Sequence, residues 1–372
     1  MSSVSSTPVH EQSELLNQVE EARSFLKQLS TRKAKFPPGE DPLTYTIPRH
    51  SWLTLLCDDK ITLWRDIREV RETIKNKIWY NATTSTLRIF PMPLSIHEAV
   101  IEWLDELVYR TKAGLNNTSL SGQIHIRHNE EKNCEDGSEK IPDMAIWYDT
   151  QNRSQIHTIF EVVSSQSTSY AMEVVAFWLK RFPEVARVVL IDKIESPIYR
   201  RPKGWDINQL TNTLEKIRND EFRCDSNRGL LRCGGYTWVG QLEFTYEVWE
   251  RDQRTNQPVR RFRATFVHDD NSPLPPSLPF FELPSTFSGN RNVEITPENI
   301  NYFWHTLLRL AIIREAESRI IKYLGDLRKR AEAARVLEEV GGETREQRQN
   351  AKDDRLSRWE NRQQQKDSEE GG

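Results

Sequence analysis

Apolar positions along the chain change period several times, and each change marks an element. Leu15, Leu16, Val19, Phe25, Leu26 and Leu29 recur at a rough 3.6-residue spacing, which predicts a helix within residues 1–35. Phe36-Pro37-Pro38-Gly39 ends it. Leu53, Leu56, Ile61, Trp64, Ile67 and Val70 mark a second helical stretch from Ser51 to Ile78. Trp79-Tyr80-Asn81 and Thr86-Leu87-Arg88-Ile89-Phe90 then read as short strands around a turn, and Pro91-Met92-Pro93 closes that unit. Ser95 followed by Glu98 has the spacing of a capping box. It opens a helix to about Thr111, with Ile96, Val100, Trp103, Leu104 and Leu107 on one face.

Three strand candidates come next. Gln123-Ile124-His125-Ile126-Arg127 alternates polar and apolar, and Asp143-Met144-Ala145-Ile146-Trp147-Tyr148 follows a polar loop. Ile156 to Val163 is a more continuous apolar run, suited to a buried central strand. A helix from about Thr168 to Phe182 leads into a buried strand, Ala186 to Asp192. The order helix, strand, strand, strand, helix, strand predicts one mixed sheet with helices on its faces, an α/β (α+β) class.

Beyond about Asn219 the chain changes character. Tyr236 to Trp249 and Val259 to Val267 alternate like antiparallel strands joined by the polar turn Asp252 to Gln257. Pro273 to Pro279 reads as a proline-rich linker. Thr296-Pro297-Glu298 opens a long helix to about Ile321, with an N-cap and then proline at the first helical position. Residues 314–372 carry 14 Lys+Arg and 14 Asp+Glu, the mark of a solvated helix fraying into a disordered tail rather than a basic arm.

Composition narrows the classes. The 372 residues are 37% hydrophobic and include eleven Trp, more aromatic content than a disordered chain carries. A formal net charge of −3 excludes a uniformly basic nucleic-acid binder, so any DNA-facing surface is a local patch. The start, Met1-Ser2-Ser3-Val4-Ser5-Ser6, has neither a positive n-region nor an apolar stretch, and no apolar run reaches bilayer length. An intracellular protein of the nucleus or cytoplasm is expected, without membrane contact. Cys57, Cys134, Cys224 and Cys233 are too few and scattered for a disulfide framework, and no CxxC or His pair completes a zinc site around the last two.

The candidate chemistry lies at Asp143 and Glu161, 18 residues apart at the start of one predicted strand and inside the next. If the strands are neighbours, both carboxylates converge at one edge of the sheet. With the backbone carbonyl of Val162 they would form a hard-oxygen site for Mg²⁺. Such an ion polarises a scissile phosphate and lowers the pKa of an attacking water. The plainer reading makes Pro142-Asp143 a turn and Glu161 an edge residue facing solvent.

The stretch resembles the PD-(D/E)XK superfamily, the restriction-endonuclease-like fold, and within it a group of fungal members. The elements carrying the resemblance are Tyr80-Asn81, Met92-Pro93, His97-Glu98, Pro142-Asp143, Glu161-Val162, Ser165-Gln166-Ser167, Trp178 and Val189-Leu190-Ile191-Asp192. They cover roughly residues 75–200, and more faintly the segments out to about 325. The resemblance implies a nuclease-like core at 36–205, after an N-terminal helical extension at 1–35. A β-rich extension and helix at 206–325 and a charged helix fraying into a tail at 326–372 follow it.

The resemblance also implies a metal, Mg²⁺ or Mn²⁺, on Asp143, Glu161 and the Val162 carbonyl, with Glu98 at the position of an acidic residue on the first core helix. Glu98 is equally well explained as a cap, and His97 as a packed histidine. The superfamily's lysine two residues after the acidic residue is Val163 here, which can neither orient water nor stabilise charge on a phosphate. Lys180 on the next helix, or Gln166 positioning a water, would have to act instead. Lys193, Arg200, Arg201 and Lys203, with Tyr199 and Trp205, form either a phosphate-backbone patch or an ordinary charged loop. The expected function is a Mg²⁺-dependent nuclease-like protein acting on DNA. The alternatives are a degenerate nuclease-fold module that binds nucleic acid or protein, and an interaction protein working through its charged C-terminal helix. No small-molecule cofactor is expected.

Overall fold

The computed structural model describes residues 9–30, 43–57, 78–89, 95–115, 118–128, 132–134, 136, 138–150, 153–163, 168–219, 221, 223–225, 230–268, 273–283 and 291–336. Helix α1 (Val9–Ser30), strand β1 (Leu43–Thr46), helix α2 (Arg49–Cys57) and the hairpin β2 (Ile78–Asn81) and β3 (Thr86–Ile89) come first. Helix α3 (Ser95–Gly114) and short α4 (Thr118–Gln123) lead into β4 (Ile124–Arg127). A small hairpin, β5 (Lys132–Asn133) and β6 (Glu139–Lys140), precedes β7 (Met144–Thr150) and β8 (Arg153–Val163). Helix α5 (Thr168–Arg181) and β9 (Arg187–Ser196) complete the first half.

The second half holds α6 (Ile207–Arg218), the strands β10 (Arg223–Asp225), β11 (Leu230–Cys233) and β12 (Tyr236–Val239), then β13 (Gln241–Arg251) and β14 (Pro258–Val267). Strands β15 (Leu278–Glu282) and β16 (Asn292–Ile295) and a C-terminal helix, α7, follow. Helix α7 begins at Pro297, includes a π-turn at Phe303–Leu308 and runs to residue 336. Among the described residues no helix is long and apolar enough to cross a membrane.

The main sheet has the order β14-β13-β9-β8-β7-β4. Only β8 and β9 are parallel in this sheet, and helix α5 supplies the crossover that parallel neighbours need. The rest pair antiparallel. The expected mixed sheet flanked by helices is therefore present, in the chain order α3-β4-β7-β8-α5-β9. The apolar run in β8 alternates between two buried faces. Phe160 and Val162 pack with Val100 and Leu104 of α3 and with α7, while Ile159 and Val163 pack with Val174 and Trp178 of α5.

Several segments depart from the pattern. The polar loop before Asp143 contains β5 and β6, which join β1, β2 and β3 in a second sheet of order β1-β3-β2-β6-β5. These strands are two residues long, too short for an alternation to show. The single strand expected from Tyr236 to Trp249 is two strands in different sheets, broken at Gly240. A Cβ at that position would lie 2.4 Å from the Pro197 carbonyl oxygen, so only glycine allows the approach. The proline-rich linker already contains the start of β15. Helix α6 falls in a stretch not assigned from the sequence, yet Ile207, Leu210, Leu214 and Ile217 stand there at helical spacing, the last three buried, and Asp206 and Gln209 close a capping box on it. Strands β13 and β14 continue the same sheet as β9, so the 36–205 and 206–325 segments share one core. The remainder of the second predicted helix and the predicted disordered tail lie outside the described residues.

The beginning of the charged segment 314–372 is not a solvated helix. Glu315, Ala316, Ile320, Tyr323 and Leu324 are buried. Arg319 on α7 donates to both Glu195 oxygens on β9 at 2.7 Å each, to Glu315 at 2.9 Å and to the Trp238 carbonyl at 2.8 Å. Glu195 also accepts the Gly240 amide at 2.7 Å. One guanidinium therefore ties the C-terminal helix to the main sheet and to the strand break at Gly240. Burial would raise the Glu195 carboxyl, but the Arg319 bonds and charge outweigh it and hold its pKa below the ordinary value.

Arg319→Ala leaves two carboxylates without their shared cation and should cost about 3–5 kcal/mol of unfolding free energy by urea denaturation. Because the folded pKa of Glu195 is depressed, the wild-type contribution is complete above the unfolded value of about 4.3 and is lost as pH falls through the folded value. The stability gap between wild type and Arg319→Ala should therefore narrow as the pH is lowered below about 4. A gap that stays unchanged in acid would show that the Glu195–Arg319 pair does not stabilise the fold.

Candidate functional site

The main chain passes from the small sheet to the main sheet through Lys140-Ile141-Pro142-Asp143. Lys140 ends β6, and Asp143 stands in a bend just before β7. Met144 pairs with Phe160, so Asp143 and Glu161 occupy facing positions on neighbouring strands, as the sequence predicts. Their side chains nevertheless serve different partners. Asp143 lies one residue outside the ladder, where no pleat dictates its direction. Its Oδ2 accepts the Val162 amide at 2.7 Å, and its Oδ1 lies 3.2 Å from His97 Nε2 on α3. Glu161 is inside the ladder and alternation turns it toward α5. There Oε1 accepts the Trp178 indole N–H at 2.6 Å.

The strongest partner of Glu161 is Lys140. The ammonium sits 3.1 Å from Oε1 and 3.2 Å from Oε2. Both side chains are about as buried as apolar core, at 5% and 4% exposure. The Lys140 nitrogen also lies 5.1 Å from the Trp79 ring and 5.9 Å from the Trp178 ring, within cation–π range. Tyr170 borders the same space. Burial, and next the negative charge of Glu161, raise its hydroxyl pKa well above the ordinary value. Arg88 fits between Trp79 and Tyr170 at 4.8 and 5.2 Å and pairs with Glu173 at 2.8 Å. Two bases and two acids are thus interleaved with aromatic rings between the small sheet and α5.

This arrangement does not fit a hard divalent ion. Mg²⁺ needs several oxygen ligands around one point. Glu161 already shares its oxygens with an ammonium and an indole N–H, and Asp143 is anchored toward α3. Among the described residues no group of three or more His, Cys, Asp or Glu side chains is placed to hold a metal. Glu98 has a 45% exposed side chain beside His97, 3.6 Å from its Nδ1, and is not part of the Glu161 box. The Ser95 amide donates to Glu315 of α7 at 3.3 Å.

The other predicted residues scatter. Lys180 is exposed on the last turn of α5. Gln166 lies outside the described residues, as do Ser164, Ser165 and Ser167. Lys193 is 3% exposed within β9 and belongs to no surface patch. Arg201 pairs with Asp326 at 2.7 Å, which leaves Arg200 and Lys203 as the exposed bases of that group. Tyr199 and Trp205 pack with Tyr236 and Trp238 in an aromatic cluster. Lys140 escapes sequence reasoning because it lies in a segment that reads as loop. Its place two residues before Pro142 is the one signal that points to it. An open hollow of about 260 Å³ lies toward the other end of β8, lined by Trp147, Arg153, Ser154, Gln155, Ile156 and Glu184, and does not include the box.

Comparison with protein-family models and with curated proteins finds no match.

Lys140→Met strands a buried carboxylate and should cost about 3–5 kcal/mol in urea denaturation, as should Glu161→Leu, which strands the ammonium. The double variant should cost far less than the sum, because neither charge is then orphaned. Trp178→Phe should cost about 1.5–3 kcal/mol, the range for a hydrogen bond to a charged group. Additive single costs would show that Lys140 and Glu161 do not act as a pair.

Proposed function

We propose that this protein is a nuclease-like α/β domain that binds nucleic acid without cleaving it. The observation that carries the reading is the Lys140–Glu161–Trp178 arrangement within the order α3-β4-β7-β8-α5-β9. That order has the helix-strand-strand-strand-helix-strand form read from the apolar pattern, and the segments that resemble the PD-(D/E)XK superfamily fall within it. The acidic residue on which metal-assisted hydrolysis would depend has its charge neutralised by a lysine of the same chain. The one cationic group in the box, the Lys140 ammonium, is committed to Glu161, and both side chains are almost fully buried.

Support for a nucleic-acid partner comes from the edge strand β14. Arg260, Arg261 and Arg263 have side chains 43%, 49% and 54% exposed. They reach Glu247 or Glu250 at 2.8 to 3.5 Å. The Arg261–Glu250 pair is largely exposed and worth about 0–1 kcal/mol, so a phosphate can replace that glutamate at little cost, while the buried Glu247 is shared by Arg260 and Arg263 and keeps one of them when the other turns to a phosphate. Arginine's planar fork suits phosphate oxygens, and the edge position keeps the arginines within reach of an extended polyanion.

A second reading is a DNA-cleaving enzyme dependent on Mg²⁺ or Mn²⁺. It is favoured by one feature, the presence of both carboxylates on neighbouring strands with a lysine beside them. Nicking assays separate the two. Purified protein with Mg²⁺ or Mn²⁺ should leave supercoiled plasmid intact yet retain it on a filter at low salt. Retention should fall in the Arg260→Ala/Arg263→Ala variant. The slope of log affinity against log salt should drop by roughly one for each phosphate that the variant no longer neutralises. Nicking that disappears in Asp143→Ala and Glu161→Ala would establish the enzyme reading. Absence of both nicking and retention would leave a protein partner.

A further inference from the structure

We propose that the outer face of α7, together with the loop from Tyr199 to Trp205, holds the phosphate backbone of a nucleic-acid duplex. This surface lies on different elements from the β14 arginines, and the inference rests on the reading of nucleic acid as the partner. Residues 309–336 of α7 contain eight Lys+Arg and four Asp+Glu, a local excess of four positive charges in a chain of net charge −3. All four acids are paired. Glu315 bonds Arg319 at 2.9 Å, Glu317 meets Arg218 of α6 at 3.3 Å, Asp326 meets Arg201 of the loop at 2.7 Å, and Glu332 meets Arg335 at 3.0 Å. Arg314, Lys322, Arg328 and Lys329 are exposed and pair with no acid among the described residues, and the same holds for Arg200 and Lys203 in the loop.

Helical spacing gathers these cations. At 3.6 residues per turn, Arg314, Lys322, Arg328 and Lys329 fall within about a third of the helix circumference. Asp326 is four residues after Lys322 and three before Lys329, so the loop that reaches it through Arg201 runs beside both lysines. The Tyr323 hydroxyl fixes that loop by donating to the Pro202 carbonyl at 2.9 Å. Gly325 lies on the same face, where a Cβ would meet no atom within 4 Å, so a ligand can come close to the helix backbone there. From Arg314 to Lys329 the row is about 22 Å long at 1.5 Å per residue. A duplex strand advances about 3.4 Å per phosphate, so the row spans roughly six phosphates. Single strands are held by stacking of their bases on aromatic rings as well as by charge. The only aromatic residue in 309–336 is Tyr323, which is buried, and Tyr199 and Trp205 are taken up in the cluster with Tyr236 and Trp238. A partner helix would need several apolar anchors. Between Arg314 and Lys329 the one exposed large apolar side chain among the described residues is Ile321. A rigid line of cations without stacking rings or apolar anchors suits a stiff, evenly spaced row of phosphates.

Fluorescence anisotropy of a short labelled DNA duplex, titrated with the full chain over a range of salt, tests this. Wild type should bind with a steep salt dependence. Lys322→Gln/Arg328→Gln/Lys329→Gln keeps good helix formers in place, and its folding is checked by circular dichroism. It should bind at least about tenfold more weakly, with a log–log salt slope shallower by roughly 0.9 for each phosphate no longer neutralised. Lys322→Arg/Lys329→Arg should bind like wild type, because the surface uses charge. Arg200→Gln/Lys203→Gln in the loop should weaken binding in the same way and gives the readout should the triple variant not fold. A folded triple variant that binds the duplex as tightly as wild type would overturn the proposal. If Arg260→Ala/Arg263→Ala then loses affinity, the nucleic-acid reading itself stands and only the α7 surface falls. A single strand of the same sequence held as tightly as the duplex would overturn the assignment to a duplex. Phosphatidylserine vesicles held in preference to the duplex would overturn the assignment to nucleic acid. A wild-type chain that binds no duplex would overturn both this proposal and the reading it rests on.

Discussion

A carboxylate taken out of water must be neutralised, and in this protein that requirement falls where the chain crosses between two sheets. Glu161 is fixed in the middle of the main sheet by the ladders on both sides of β8. Lys140 comes from the end of β6 in the small sheet. The pair therefore holds more than two side chains together. It sets where the small sheet lies against α5, because the lysine reaches Glu161 only when β6 passes beside Trp79 and Trp178. Hydrophobic contact alone would tolerate sliding at this seam, since apolar packing is non-directional. Two ammonium–carboxylate contacts at 3.1 and 3.2 Å and an indole hydrogen bond at 2.6 Å do not.

The same logic recurs farther along β9, past the C-terminal end of β8. Arg319 bridges Glu195 and Glu315, and Glu315 receives the Ser95 amide at the start of α3. Helices α3 and α7 are thus joined through one acid, and α7 and β9 through one base. Trp103 adds a third tie by donating to the Asn299 carbonyl, at the turn of α7 that widens into a π-turn from Phe303. Charged and polar groups hold the elements in register at these crossings, and apolar side chains fill the space between them.

These crossings also explain what is legible in the sequence. Periodicity reports which face of an element is buried, so α3, β7, β8, α5 and β9 are all visible in it, and so is the N-cap of α7 at Thr296. The neighbouring positions of Asp143 and Glu161 follow from two apolar strands with one turn between them. Periodicity cannot report which distant side chain meets a buried charge. Lys140 is 21 residues from Glu161 and reaches it through a two-residue strand with no pattern of its own. The burial of Arg319 is hidden likewise, because a helix dense in charge reads as solvated until its partners are known. Gly240 looks like one residue in an alternating run. Its role depends on the carbonyl of Pro197, far away in sequence.

The position of the lysine is what the proposed binding role rests on. A lysine that assists hydrolysis has to act on a water or a phosphate, so it needs a direction of approach free of its own counter-ion. Lys140 has no such direction: its nitrogen lies between both oxygens of Glu161, with aromatic rings beside it, and the side chain is 5% exposed. Val163, at the position where a strand-borne lysine would share the face of Glu161, is packed into the α5 core. A base delivered from the opposite sheet arrives from inside the protein, whereas substrate must arrive from outside. Neutralising Glu161 from within is therefore compatible with a stable scaffold that presents its arginines along β14. It opposes chemistry at the carboxylate itself.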